Sequence, residues 1–597
     1  MLHSLTFYAI LCALLCFSTF AIALPSERWD VRRHEVPWKK DGLFGHNNAN
    51  TRRKQRDQDC SNGPTSRDCW GQGFTVETNF HHKWPKTGKI VKYDFDITNT
   101  TMSPDGVQKA MMVINGQYPG PTIVADWGDT IQVRVKNSLS KNGTGIHWHG
   151  LRQLGTVDMD GVGGSLECPI APGDSRTYEF QASQYGTSWY HSHYSVQYAD
   201  GLVGGMIING PTTADYDIDL GILPFTDWFH MPIFTVNAAA LHATGPPIAN
   251  NILINGTMTS ASGGKYAVTT LQHGKKHLLR LVNMGINNYI HVGLDGHDFT
   301  VIAADFVPIV PYKTSSLVLA VGQRYDVIID ACQPVQNYWL RVGTGGKCDG
   351  PNANGANIRS IFHYSGASGT PNSTASAPLP TGCYDETNIV PFVKNSVPQK
   401  LPQKINAGFT NTAAGGNLVQ WLVNGSPMLI DFTRPTLQNV IDGNETYGVT
   451  ENIFTIGEKD QWQYWVIQQD NTTAPIPHPI HLHGHDFFVL DHAENTQWTG
   501  DISRLKMNNP IRRDTATLPS KGYLVLAFES DNPGAWLMHC HIPFHVSAGF
   551  GLQFLERVDE IAGNLKKGDH FASSCKKWGN FQKEHYPNGF ERGDSGL

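Results

Sequence analysis

From Lys89 onward, short apolar or alternating stretches are separated by turns rich in Gly, Pro and Asn. Runs such as Thr130-Ile-Gln-Val-Arg-Val-Lys136 and Tyr523-Leu-Val-Leu-Ala-Phe528 predict short strands at the spacing of a β-sandwich or barrel. The same theme, an apolar strand running into Asn-Gly, occurs at Val113-Ile-Asn-Gly116, Leu253-Ile-Asn-Gly256 and Leu422-Val-Asn-Gly425. These sites lie 140 and 169 residues apart, which points to three related units in series rather than a short-period solenoid. The Ser/Thr/Pro/Ala-rich stretch 366–380 reads as a loop or linker near the boundary between the second and third units.

Length and composition agree with an all-β chain of several domains. The 597 residues exceed one ordinary core, and 60 Gly, 34 Pro and only 16% charged residues favour strands and turns over long helices. A net charge of −6, with no long basic run after the N-terminal region, gives no reason to expect nucleic acid as a partner; small substrates fit better. Leu5 to Leu24 is an apolar stretch ending in Ala21-Ile22-Ala23, expected to be a signal peptide over 1–23; its competitor is an N-terminal membrane anchor. The polar, basic segment 24–56, ending in Arg52-Arg53-Lys54-Gln55-Arg56, reads as a propeptide with a dibasic cleavage site. Sequons at Asn99, Asn142, Asn255, Asn372, Asn424, Asn444 and Asn471 accord with a secreted, extracellular protein without a stable membrane span in the mature chain. Cys60 and Cys69 form a close local pair, whereas sequence alone does not connect Cys168, Cys332, Cys348, Cys383, Cys540 and Cys575.

Four histidine groups carry the chemistry: His147-Trp-His149, His191-Ser-His193, His478-Pro-Ile-His481-Leu-His483, and His539-Cys540-His541 with His545 beyond it. On a strand, residues i and i+2 share a face, so each His-x-His pair can direct two imidazoles at one point. A single pair is better read as hydrogen-bonded or exposed histidines; four groups together are not. A cysteine between histidines points to copper, and two histidines with one thiolate make a blue-copper electron-transfer site, here His478, Cys540 and His545. The remaining eight histidines suffice for a three-copper cluster, and His539 and His541 flank Cys540 as a built-in path for electrons. With Cys540 taken by metal, an odd thiol remains.

In order and across almost the whole mature chain, the blocks HWHG, HSH, HPIHLHGH and HCHIPFH resemble those of the multicopper oxidases. The resemblance implies three cupredoxin-like Greek-key domains, expected at 57–212, 213–390 and 391–597, with four copper ions. His147 and His481 match type 2 ligands; His149, His191, His193, His483, His539 and His541 match type 3 ligands; His478, Cys540 and His545 match type 1 ligands. Cys69-Trp70, Gln184-Tyr-Gly-Thr-Ser-Trp-Tyr190 and the terminal Asp594-Ser-Gly-Leu597 resemble the ascomycete laccases, which implies one-electron oxidation of phenolic or aromatic donors coupled to reduction of dioxygen to water. It also implies a C-terminal plug, against the alternative of a frayed tail, and disulfides Cys60–Cys69, Cys168–Cys575 and Cys348–Cys383 with Cys332 free. His545 is the expected electron entry. Asp160 matches an acid that relays protons to the cluster, against the alternative of a solvated turn aspartate. Phe550 falls where an axial methionine would coordinate, and Asn287 falls where relatives carry an acid that takes the phenolic proton. Rivals are another multicopper oxidase acting on iron, ascorbate or a pigment precursor, a copper-storage protein, and a copper nitrite reductase.

Overall fold

The computed structural model describes residues 60–597 except 244, 346–347, 349, 401, 413–417, 445, 458, 471–473, 566–569 and 587–593. The expected signal peptide and propeptide and the sequon at Asn471 lie outside the described residues. The remaining sequons are at the surface, with Asn99, Asn255, Asn372 and Asn424 exposed and Asn142 and Asn444 half-buried.

The chain forms three two-sheet β-units in series, as expected for cupredoxin-like domains. The first pairs two four-stranded sheets, and the second and third each pair a six-stranded with a five-stranded sheet. Parallel neighbours that are distant in sequence, such as Ile90–Met102 beside Thr130–Asn137, give the crossed connections of a Greek key. Strand Thr130–Asn137 alternates buried and open positions. Strand Tyr523–Glu529 is buried almost throughout because it lies inside its sheet, between Trp462–Gln469 and Phe487–Ala493, and is covered on both faces.

The repeated Asn-Gly theme has a backbone cause. At Asn115-Gly116, Asn255-Gly256 and Asn424-Gly425 both residues have positive φ, at 53° and 71°, 50° and 75°, and 49° and 85°. Each dipeptide closes a tight two-residue turn, bridged Ile114 to Gln117, Ile254 to Thr257 and Val423 to Ser426. Asn and Gly are the residues that tolerate this conformation, whose twist matches the flanking strands.

Residues 366–380 form an irregular loop, as expected, but one pinned on the second unit: the Trp339 indole donates to Pro371 O (3.1 Å), and the Ser373 hydroxyl donates to Asp295 (2.7 Å). One element departs from the sequence reading. Helix His570–His585 was not anticipated; its Trp578 is fully buried beside Tyr194 and Phe432. Disulfide Cys168–Cys575 ties that helix to the first unit, while Cys60–Cys69 and Cys348–Cys383 close local loops; Cys332 is in no disulfide.

Candidate metal centres

Strand parity separates two sites. Strand His478–Leu482 pairs with Gly534–Cys540 so that Ile480 faces Cys540 and His481 faces His539. His478 shares the face of Ile480 and Cys540, while His481 and His483 point to the opposite face with His539. The first unit repeats the device, with His147 directly opposite His191 on strands Ile146–Trp148 and Gly186–Ser192.

On one face, the short helix Pro543–Val546 returns His545 toward Cys540. His478 Nδ1, His545 Nδ1 and Cys540 Sγ form a triangle with sides of 3.1, 3.4 and 3.6 Å. Its centre is about 2 Å from each corner, the length of a metal–imidazole bond. Burial raises the Cys540 thiol pKa and holds His545 down to about 3, so the imidazole is neutral and the thiol would give up its proton only to a bound cation. Phe550 stacks on Trp421, and its ring lies 4.9 Å from that of His478. Trp421 packs on both histidines at 4.7 and 4.6 Å.

On the other face, eight histidines from the first and third units converge. His149 Nδ1 and His541 Nε2 are 3.1 Å apart, as are His483 Nε2 and His539 Nε2 at 3.2 Å, with His193 completing the second group. Such contacts leave no room for two protons and suit ligation of a shared cation. His147 Nε2, His191 Nε2 and His481 Nε2 are buried with no hydrogen-bond partner, the condition of an imidazole lone pair aimed at a metal. Their Nδ1 atoms are spoken for: His147 by Asp160 O (3.0 Å), His191 by Ser192 O (3.0 Å) and His481 by Asp514 O (2.8 Å). These partners fix the tautomer that frees Nε2. Burial drives the His149, His191, His193, His481, His483 and His541 pKa values well below the usual histidine value, and His539 down to about 3. The donor set therefore fits copper at both sites.

Asp160 is fully buried and bridges the two units, within 3.2 Å of His147 Nδ1 and 2.8 Å of His483 Nδ1. It is not a solvated turn residue. The terminal residues are also engaged: Ser595 N donates to Ser547 O (2.6 Å), Ser195 N donates to Gly596 O (3.2 Å), and Leu597 is buried.

A cleft of about 850 Å³, including its open mouth, adjoins His545 and is lined by residues such as Leu241, Pro247, Val419, Trp421, Ile476 and Phe544. Asn287 enters it, its amide Nδ2 buried without a partner. Asp227, pushed up to about 6 by burial, accepts from Ile286 N (2.6 Å) and Asn288 N (2.9 Å) and so fixes the turn that carries Asn287. No carboxylate lines the cleft among the described residues.

Sequence reasoning missed Asp514, Arg324 and Trp421. The signal for Asp514 was present as the charged triplet Arg512-Arg513-Asp514 beside strand-forming residues, but such a triplet ordinarily reads as a solvated face.

Three profiles of the multicopper oxidase family match residues 96–213, 219–367 and 424–560. The chain belongs to the multicopper oxidase family. It is 49% identical to Laccase-3 of Botryotinia fuckeliana over 73% of this chain and 100% of that protein, and 43% identical to a laccase of Neurospora crassa over 90% and 89%. The crystal structure of the laccase from Botrytis aclada superposes with a TM-score of 0.84 at 40% identity, covering 90% of this chain and 100% of that one. Within the family the chain is of the laccase type, a copper-dependent oxidoreductase.

Proposed function

We propose that the enzyme oxidises small phenolic or aromatic donors one electron at a time at His545 and reduces dioxygen to water at the histidine cluster. The carrying observation is the continuity of the two sites: His545 borders an open apolar cleft, while Cys540 lies in the chain between His539 and His541 of the cluster. When bound, one type 1, one type 2 and two type 3 copper ions supply the redox chemistry, collecting single electrons and delivering four to dioxygen. The ligand assignment is that expected from the four histidine blocks, with eight imidazoles for the cluster and His478, Cys540 and His545 for the entry site.

The chain's own residues do the rest. The cleft excludes water from one side of the donor and places it against the His545 ring. Phe550 offers no atom able to coordinate axially, which favours a high reduction potential at the entry site. Asp160, held on His147 and His483, is positioned to pass protons to the cluster, and residues 594–597 serve as a plug between Ser195 and Ser547. A ferroxidase entry site would need carboxylates, which the described cleft lacks. The proposed reading also includes secretion after loss of residues 1–23 and 24–56, and domain limits at 57–212, 213–390 and 391–597. No helix among the described residues is long and apolar enough to cross a membrane.

The test is oxygen uptake by copper-loaded protein with a non-phenolic one-electron donor and, separately, a methoxyphenol. Uptake with both and no accumulated peroxide is expected; uptake with neither at full copper occupancy would overturn the reading. Asn287→Asp adds a base to the cleft. Phenol oxidation is expected to rise about 10²-fold at most, the lower end of what a positioned base contributes, with the non-phenolic donor unchanged. Since the new carboxylate accepts a proton only when ionised, the gain should vanish as pH falls through its pKa. An equal change for both donors would show that Asn287 does not face the phenolic proton.

A further inference from the structure

The second domain supplies no ligand, yet it reaches the cluster. The Arg324 guanidinium, fully buried in strand Arg324–Asp330, pairs in two-pronged fashion with Asp514 at 2.6 and 2.7 Å and donates to Thr187 O of the first domain at 3.2 Å. Asp514 Oδ1 in turn lies 3.2 Å from His149 Nε2, and the Thr515 hydroxyl donates to that same oxygen at 2.9 Å. Gly322 of the second domain, at φ +90°, packs against the rings: a Cβ there would sit 3.2 Å from His149 and 3.3 Å from His541.

His149 is also turned the opposite way from three of its neighbours. His147, His191 and His481 have Nδ1 occupied and Nε2 free, whereas His149 has Nε2 against a carboxylate and Nδ1 turned to His541 Nε2. With Nε2 held against Asp514, Nδ1 is the ring nitrogen left to face the cluster. Asp514 cannot rotate away, because both its oxygens are held by a rigid guanidinium fork. The fork is itself fixed. Asp305 lies 3.5 Å from Arg324 and accepts from Arg513 at 3.1 and 3.2 Å and from Asp514 N at 3.2 Å, so two acids and two arginines balance in a buried network.

We propose that Arg324 is a positioning residue for the cluster: by locking Asp514, it holds His149 with Nε2 on the carboxylate and Nδ1 toward His541 and copper. The role rests on the copper reading of the cluster. It makes the second domain a structural partner of the metal site rather than a spacer between the other two.

The experiment compares wild type, Arg324→Lys and Asp514→Asn, all copper-loaded, by chelator titration. Copper per chain and the near-ultraviolet absorbance of the coupled pair report the cluster, and the blue absorbance reports the Cys540 site. Lysine keeps the charge without the fork; asparagine keeps the size but meets either Arg324 or His149 with an N–H. Both variants are expected to release cluster copper at about 10–100-fold lower chelator concentration, the usual cost of losing a partner behind a ligand, with the blue site unmoved. Cluster copper as resistant as in wild type would overturn the role. Parallel loss of blue and cluster copper in both variants would also overturn it, marking the network as a general strut. A wild-type protein holding no cluster copper would instead refute the copper reading.

Discussion

Cys540→Ser is expected to reduce oxygen uptake with any one-electron donor to the background rate. Serine fits the space, since Cys540 is buried in strand Gly534–Cys540 among contacts that a hydroxymethyl group keeps. What is lost is the soft thiolate that completes the triangle with His478 and His545, and with it the covalent route through residue 540 to His539 and His541. The histidine cluster points from the other strand face and keeps its own donors, so the variant should hold cluster copper while losing the blue absorbance. Copper per chain, absorbance and oxygen uptake measured on one preparation check this. Sustained donor turnover without the blue site would show that electrons enter elsewhere.

Asp160→Asn should produce the next largest loss, about 10–100-fold in activity or cluster copper affinity. The carboxylate accepts from His483 Nδ1 at Oδ2 (2.8 Å), while its Oδ1 lies 3.2 Å from His147 Nδ1, whose hydrogen bond goes to the Asp160 backbone carbonyl. An amide has one acceptor oxygen and would aim its own N–H groups at one of these rings. If Asp160 also carries protons to the cluster, the deficit should widen as pH rises and protons become scarce; a deficit constant with pH would restrict it to orientation. Oxygen uptake with a non-phenolic donor separates the two, because that donor brings no proton of its own. An unchanged rate at full copper across the series would remove Asp160 from the mechanism.

The legible parts of this protein are those that obey local rules. The Asn-Gly turns could be read because positive φ is a property of two adjacent residues, and the His-x-His pairs because strand parity places alternate side chains together whatever the fold. Cys540 between two histidines carried both metal identity and connectivity within three residues. The unreadable parts arise where partners are remote. Arg324 and Asp514 are separated by 190 residues, and Asp514 and His149 by 365. Neither charge signals that it will be desolvated, because only tertiary packing removes the water. Helix His570–His585 escaped for the related reason that its anchors, a disulfide to Cys168 and Trp578 against Tyr194, lie in the first domain. Asp160 was seen but its two readings were equal in sequence; burial beneath two histidines removes the solvated-turn reading and leaves the relay to experiment.

The cluster is a seam, with His147 and His193 on one side and His481 and His539 on the other, contributed from opposite ends of the chain. Each side offers only half of the eight imidazoles, so a partly synthesised or half-folded chain cannot complete the cluster that turns over oxygen; only docking raises the local concentration of the second set of imidazoles. Metal capture thus certifies completed assembly, and binding energy released there flows back into holding the two domains together. An enzyme that handles partly reduced oxygen is thereby armed last, after every wall that contains the reaction is already in place.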